Sequence, residues 1–426
     1  MSYPFSVTVT FDFSNGPVFG YPFTIGSSAN GILGTDVLAD SASYVVDISN
    51  QVGSIQIRGG YNLLQNTFDS ASMTLRLFDP NGDWNPQNTA SPYYGKLVPL
   101  RKIRISVPWQ GQTYYLFSGY TTAYNYTYPK DQTIGYVDIT ASDGFRLYNL
   151  SNVSTITGAT AGQDTGTRIN KILDQIQWPN SMRKVTTGGT ETLLQADPGY
   201  QRTALQALKM TEFAEQGAFY IDGEGDAVFL SRAYISATSG QNPTTFSNDP
   251  NYPGIPYKQV VFAFDDKLII NEADITAYGS STVQQAIDAG SQAQYFPHSY
   301  TVQKVPVQTD ADAMNIARIY VATRAQTTLR IDAMVLDLSA LNNTGITAAL
   351  ALDYFNTATI INNGQTTSTG GDSIISKTLQ ILGVAYDITP NTFYTTYTTS
   401  EPIVGSFIIG SSLYGKIGEA NSILGY

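Results

Sequence analysis

Asp222-Gly-Glu-Gly-Asp226 places three carboxylates at alternate positions, the most cation-like spacing in this chain. A calcium loop of the EF-hand kind needs further oxygen ligands and a closing bidentate Glu. Here Ala227-Val228-Phe229 follow directly, so a hairpin turn is expected. Glu212 and Glu215 stand three apart, as paired carboxylates on one helix would. Acid/base catalysis needs two carboxylates in contrasting environments around a cleft. These lie beside Gln216 at a helix end, which predicts a solvated face. Asp265-Asp266-Lys267 reads as a turn between strands. The Gly/Thr-rich stretches GATAGQDTG and GGTETLL lack the Lys and the strand–loop–helix order of a phosphate loop. The only histidine is His298, and there is no cysteine. Disulfides, thiolate metal sites and Cys nucleophiles are therefore excluded, and His-dependent triads and zinc sites are hard to build. No constellation amounts to an enzyme site. The expectation is a protein that is not an enzyme and uses no cofactor or metal.

The elements that would position these residues are mostly strands. Charged residues are only 13% of 426, while Tyr (29) and Gly (37) are abundant. That gives a surface of hydroxyls, amides and rings, suited to β-rich proteins outside cells or within large assemblies. The net charge of −11 argues against an extended phosphate-binding face. No apolar run reaches the length of a membrane span, and MSYPFSVTVTFDF lacks the regions of a signal peptide. SVTVTFDF, SYVVDIS, GSIQIRGG, SMTLRLFDPNGDW, RKIRISV, QTYYLFSGYTT and GYVDITASDG read as strands and turns. DTGTRINKILDQI predicts a helix capped by Asp164 or Thr165, and QRTALQALKMTEFAEQG a second one ending at Gly217. GAFYIDGEGDAVFLSR predicts a hairpin. The stretch 257–400 reads as a second β region interrupted by one helix, DADAMNIARIYVATRA.

The fold class expected is mainly β with α+β parts. The divisions are an N-terminal strand extension (1–43), a first β domain that is a barrel or a sandwich (44–142) and an α+β domain (143–235). A linker (236–256), a second β-rich domain of the same character (257–400) and a C-terminal segment (401–426) follow.

Several stretches together carry a resemblance. Asp47-Ile48-Ser49 leads to Arg58-Gly59-Gly60, then Leu75 and Leu77, Asn81-Gly82, Pro86 and Asn88. Ser91-Pro92-Tyr93-Tyr94-Gly95, Leu97, Pro99 and Leu116-Phe117-Ser118-Gly119 complete the order. This resembles the opening barrel of minor tail or hub proteins of tailed bacteriophages. VDITASDGFRLYN, GTRINKILD and ALQALKMTEFAEQGAFYIDGEGDAVFLSR resemble the next unit of the same proteins. The likeness covers 44–235 well and 257–400 more loosely. It implies a fold similar to the baseplate hub of contractile-tail phages, with two tube-like domains and smaller decorating domains. It also implies a homotrimer whose six tube-like domains cap a sixfold tail tube and pass to a threefold central fibre or spike. The implied partners are a tail-tube ring, the tape-measure protein and DNA as passing cargo. The implied location is the virion tail tip, assembled in the host cytoplasm. Longer hubs append enzymatic or glycan-binding domains, so receptor binding or wall cleavage is expected of a partner. The alternative is a carbohydrate- or receptor-binding tail component, with Tyr93, Tyr94, Tyr114, Tyr115, Tyr124, Tyr126 and Tyr128 stacking on sugars.

Two further features suggest contacts. FTIGSSANGILG (23–34) and FIIGSSLYGKIG (407–418) agree at seven of twelve positions. A Gly-punctuated extended segment can add to an exposed sheet edge, so Phe23, Ile25, Phe407 and Ile409 are candidate docking residues. Lys96, Arg101, Lys102 and Arg104 form the one basic cluster. Lys102 and Arg104 share a strand face and are expected to make a salt bridge between subunits.

Overall fold

The computed structural model describes residues 4–19, 45–63, 67–130, 134–187, 192–249, 251–327, 329–364 and 374–400. The chain is mainly β with α+β parts, organised on one 13-stranded sheet. Seven strands form its first half: β1 (Thr8–Asp12), β2 (Val45–Asp47), β3 (Val52–Asn62), β4 (Thr67–Phe78), β5 (Lys102–Trp109), β6 (Gln112–Thr127) and β7 (Tyr136–Ser142). Their spatial order is β2-β1-β5-β6-β7-β4-β3. The alternation seen in the sequence is the cause of the layering. Val7, Val9 and Phe11 point into the core from one side of the first strand, as Met73, Leu75 and Leu77 do from β4.

The second half of the sheet continues from β3 without a break. The strand Ile374–Ile388 pairs antiparallel with β3, and Phe393–Ser400, Arg330–Asp337 and Gln259–Ala263 follow outward. Ile374–Ile388 is a corner. Its residues 374–380 pair with Thr357–Asn363, its residues 383–388 pair with β3, and the register shifts between Ile381 and Gly383. At this corner Gly60 faces Gly383, and a Cβ on Gly60 would lie 2.6 Å from the Gly383 Cα. Gly60 also has φ +150°. Two glycines let the backbones of the two halves approach this closely.

A single apolar core runs under both halves. Phe5 packs edge-on against Trp109 at 5.8 Å and against Phe393, on the last described strand, at 5.2 Å. The two strand-rich blocks expected as separate barrels therefore share a sheet and a core.

Two smaller units decorate the sheet. The first holds α1 (Phe145–Leu150), α2 (Thr165–Gln175) and α3 (Ala204–Glu215) around the hairpin Ala218–Ile221/Ala227–Leu230. Asp164 caps α2, and Thr203 with Gln206 forms a capping box on α3. The second is the sheet of Glu272–Ala277, Gln284–Ile287 and Ser299–Val305 with α6 (Asp310–Arg324) on one face. Phe68, Tyr61, Tyr220, Tyr354 and Phe355 form a ring cluster that joins the first unit to both halves of the sheet.

Two expectations need correction. Among its described residues the second β region carries three α-helices, not one: α5 (Ala289–Tyr295) and α7 (Asn343–Ala351) flank α6. Both are short and capped by a single side chain, Asp288 or Asn342, so their apolar periodicity spans too few turns to register. The stretch 236–256 is also more than a linker. It contains the end of α4 (Arg232–Thr238) and the strand Thr244–Ser247, which runs parallel to Thr357–Asn363.

Candidate functional site

Glu212 and Glu215 do not lie on a solvated face; they are 1% and 2% exposed. Glu212 accepts from the Phe219 amide at 2.8 Å and pairs with Lys209 at 2.8 Å. Glu215 accepts from the Thr192 amide at 2.8 Å, from Thr165 Oγ1 at 3.1 Å and from the Arg232 amide at 3.3 Å. Burial pushes both carboxyls above the usual range. Each is thus an internal tie. Glu215 holds the start of α2, the segment at Thr192 and the start of α4 to the end of α3. The helical spacing was legible, but which side of α3 faced inward depended on partners distant in sequence.

Asp222–Asp226 is a hairpin turn, as expected, and it contains its own cation. Lys184 Nζ lies 2.7 Å from Asp222, 2.6 Å from Glu224 and 3.1 Å from Asp226. The amides of Glu224, Gly225 and Asp226 all donate to Asp222 Oδ1. The ammonium therefore sits within the group that sequence spacing made cation-like and offsets one of its three charges. Asp265 is more than part of a turn: it makes a two-pronged pair with Arg330 at 2.8 Å, which holds its carboxyl well below the usual range. His298 is half-buried, with Nε2 3.1 Å from the Tyr295 carbonyl.

The hairpin turn forms one wall of a cavity of about 380 Å³. Other walls come from β6, from the connection after α7 and from the corner strand. Asp143 lies at its inner side, fully buried, and accepts from Ser70 Oγ, the Ala71 amide and the Phe145 amide at 2.7, 2.7 and 3.0 Å. Burial pushes its carboxyl up to about 6.

Lys102 and Arg104 do share a strand face, but both are engaged inside the subunit. Lys102 is 2% exposed; its Nζ meets Asp12 at 3.1 Å, Ser14 Oγ at 2.8 Å and the Val18 carbonyl at 2.7 Å. Asp12 lies directly opposite it in the β1–β5 register. Arg104 donates to Ser118 and the Glu224 carbonyl and lies between the rings of Phe19 and Tyr115. The expected subunit salt bridge is therefore corrected to an internal one, because β1 pairs along β5 and brings Asp12 over Lys102. Phe23, Ile25, Phe407 and Ile409 lie outside the described residues.

By sequence the chain matches no known protein family. No curated protein matches it either. Solved structures do match. The tail protein from Neisseria meningitidis MC58 aligns over 94% of this chain and 97% of its own, at 11% identity and a TM-score of 0.55. The chain has a tail-protein fold. The 43 kDa tail protein of prophage MuSo2 from Shewanella oneidensis agrees: 84% of this chain, 96% of that one, 11% identity and a TM-score of 0.53. The likeness to tail proteins that the sequence resemblance implied thus extends across the whole fold.

Within this tail-protein fold, the loop that carried much of the resemblance is a structural plug. Trp84 is fully buried, donates to Gln51 at 2.7 Å and packs on Phe11 and Tyr93. Ser91 donates to the Asp83 carbonyl and accepts from the Tyr93 amide. Of the tyrosines considered as a sugar platform, Tyr93 is buried and Tyr115 stacks under Arg104, while Tyr94 and Tyr128 are exposed.

Proposed function

We propose that this chain is a structural component of a phage-type tail, acting as the trimeric hub at the tail tip. One observation carries the reading: its fold coincides end to end with that of a tail protein, over 94% of one chain and 97% of the other. Its work is mechanical. Three copies cap the tail tube, adapt sixfold to threefold symmetry, and open for the tape-measure protein and DNA. A tail-tube ring lies on one side of the hub and a central fibre or spike on the other. The protein is assembled in the host cytoplasm and resides in the virion.

The fused sheet supports this role. A plate of 13 hydrogen-bonded strands with one core resists shear between its halves. The net charge of −11 would also keep passing DNA from adhering to a lumen. Catalysis is not part of the proposal, since the carboxylates with acid/base spacing, Glu212 and Glu215, are internal ties.

Light scattering on the purified chain, followed by imaging of a tail tip carrying the labelled chain, tests the reading. The expected species is a trimer, or a monomer that becomes a trimer with its tail partners. A stable dimer or tetramer as the sole species refutes it. Assays for peptidoglycan, peptide and glycoside cleavage are expected to stay at background.

A further inference from the structure

The cavity behind the Asp222–Asp226 turn is more than a gap between units. Its mouth carries Asp353, whose Oδ1 accepts from the Tyr354 amide at 2.7 Å and which pairs with no cation among the described residues. Asp353 is open to the cavity yet ringed by protein. It is exposed at the mouth, with the Asp222 and Glu224 carboxylates near it and the Lys184 ammonium partly offsetting them. Across the cavity, Asp222 and Glu224 share the single ammonium of Lys184 with Asp226. The wall charge is therefore negative in excess.

A second observation is independent of these carboxylates. Tyr386 lines the cavity, is only 7% exposed, and its hydroxyl has no hydrogen-bond partner among the described residues. The Tyr354 hydroxyl, which also lines the cavity, has none either. Neither oxygen is sealed from the cavity, so each can bond what enters it. Between these polar groups the lining is apolar, with Leu352 and Val384.

Acidic mouth, unpartnered phenol oxygens and an apolar wall together suit one ligand chemistry. A bare divalent ion would need a small cage of oxygens, whereas this cavity has the volume of a small-molecule site. An alkyl chain would lie on Leu352 and Val384, and its ammonium would reach Asp353 and the tyrosine oxygens. We propose that this cavity binds a primary alkylammonium group, as found on a lysine side chain or a free polyamine. Residues 20–44, which continue from Phe19 beside Gly225, contain no Lys or Arg, so they do not supply that group. The site lies where β6, the hairpin turn, the segment after α7 and the corner strand meet. A bound ammonium would tie both halves of the sheet to the first decorating unit.

The test is calorimetric titration of the full chain at low salt. Spermidine is one probe and Nα-acetyl-lysine methylamide the other. Saturable binding at one site per chain is expected for at least one of them. Spermidine alone would indicate a free polyamine; the lysine derivative alone would indicate a side chain from a partner protein. Asp353→Asn keeps the acceptor for the Tyr354 amide, so the fold is retained, but it should weaken binding about tenfold by removing a charged partner. Tyr386→Phe removes only the unpartnered hydroxyl and should give a smaller loss. Absence of saturable binding for both probes, or binding unchanged in Asp353→Asn, overturns the proposal.

Discussion

Lys102→Met removes the buried cation opposite Asp12 while keeping the side chain's length and apolar stem. In the native protein Nζ meets three oxygens, those of Asp12, Ser14 and Val18. The Asp12 side chain has one other bond, its Oδ1 accepting from the Ser14 amide at 2.8 Å. Lys102 and Asp12 are 2% and 5% exposed, so water cannot replace the ammonium without opening β1 from β5. Removing one member of a buried ion pair costs about 3–5 kcal/mol, because the other charge is left without compensation. That is a fall of about two to three and a half powers of ten in the folding constant. The double variant Asp12→Asn/Lys102→Met removes both charges while Asn keeps an acceptor for Ser14. It should recover at least about 1 kcal/mol relative to Lys102→Met, as a coupled pair does. Urea unfolding followed by tryptophan fluorescence measures all variants, with Trp84 reporting through its packing on Phe11, the neighbour of Asp12. A Lys102→Met loss below about 1 kcal/mol, combined with lost subunit assembly, would refute the internal pairing and return Lys102 to a subunit interface.

Three further outcomes follow from the same geometry. Lys184→Gln leaves Asp222, Glu224 and Asp226 without their cation; the variant should lose thermal stability at low salt and regain it with added Ca²⁺, and a loss that Ca²⁺ does not reverse would count against charge repulsion as the cause. Gly60→Ala should destabilise the chain by at least about 2 kcal/mol, since its Cβ would meet the Gly383 backbone at 2.6 Å where the two halves join; an unchanged urea midpoint would show that the corner can relax. Asp143, raised to about 6 by burial, holds its proton more tightly folded than unfolded, so its contribution falls as pH rises from about 4 to about 6, by an amount on the order of 3 kcal/mol. Urea midpoints at about pH 4 and about pH 7 should therefore differ less in Asp143→Asn than in the native chain, and equal differences would remove Asp143 as the cause.

Much of the secondary structure was legible because it is set locally. Alternation in SVTVTFDF and SMTLRLF makes β1 and β4, and the stripe Ile169, Ile172 and Leu173 behind the Asp164 cap makes α2. The turn character of Asp222–Asp226 was also local, since Asp222 accepts from amides within four residues of itself. The order of residues in the loop 79–101 pointed to a tail-protein fold, because a buried Trp84 and the Ser91 turn constrain that loop residue by residue.

The tertiary structure decided where charges go. No pattern near Lys102 indicates that Asp12, ninety positions earlier, will lie opposite it; strand pairing across the intervening chain places it there. The same holds for Glu215, whose partners Thr165, Thr192 and Arg232 are brought together only by packing of α2 and α4 around the end of α3. The fusion of two strand blocks through β3 and Ile374–Ile388, and the cavity beside that seam, are likewise non-local. A strand's sequence specifies which face is apolar, but its neighbour is selected by backbone hydrogen bonds that carry almost no side-chain signature.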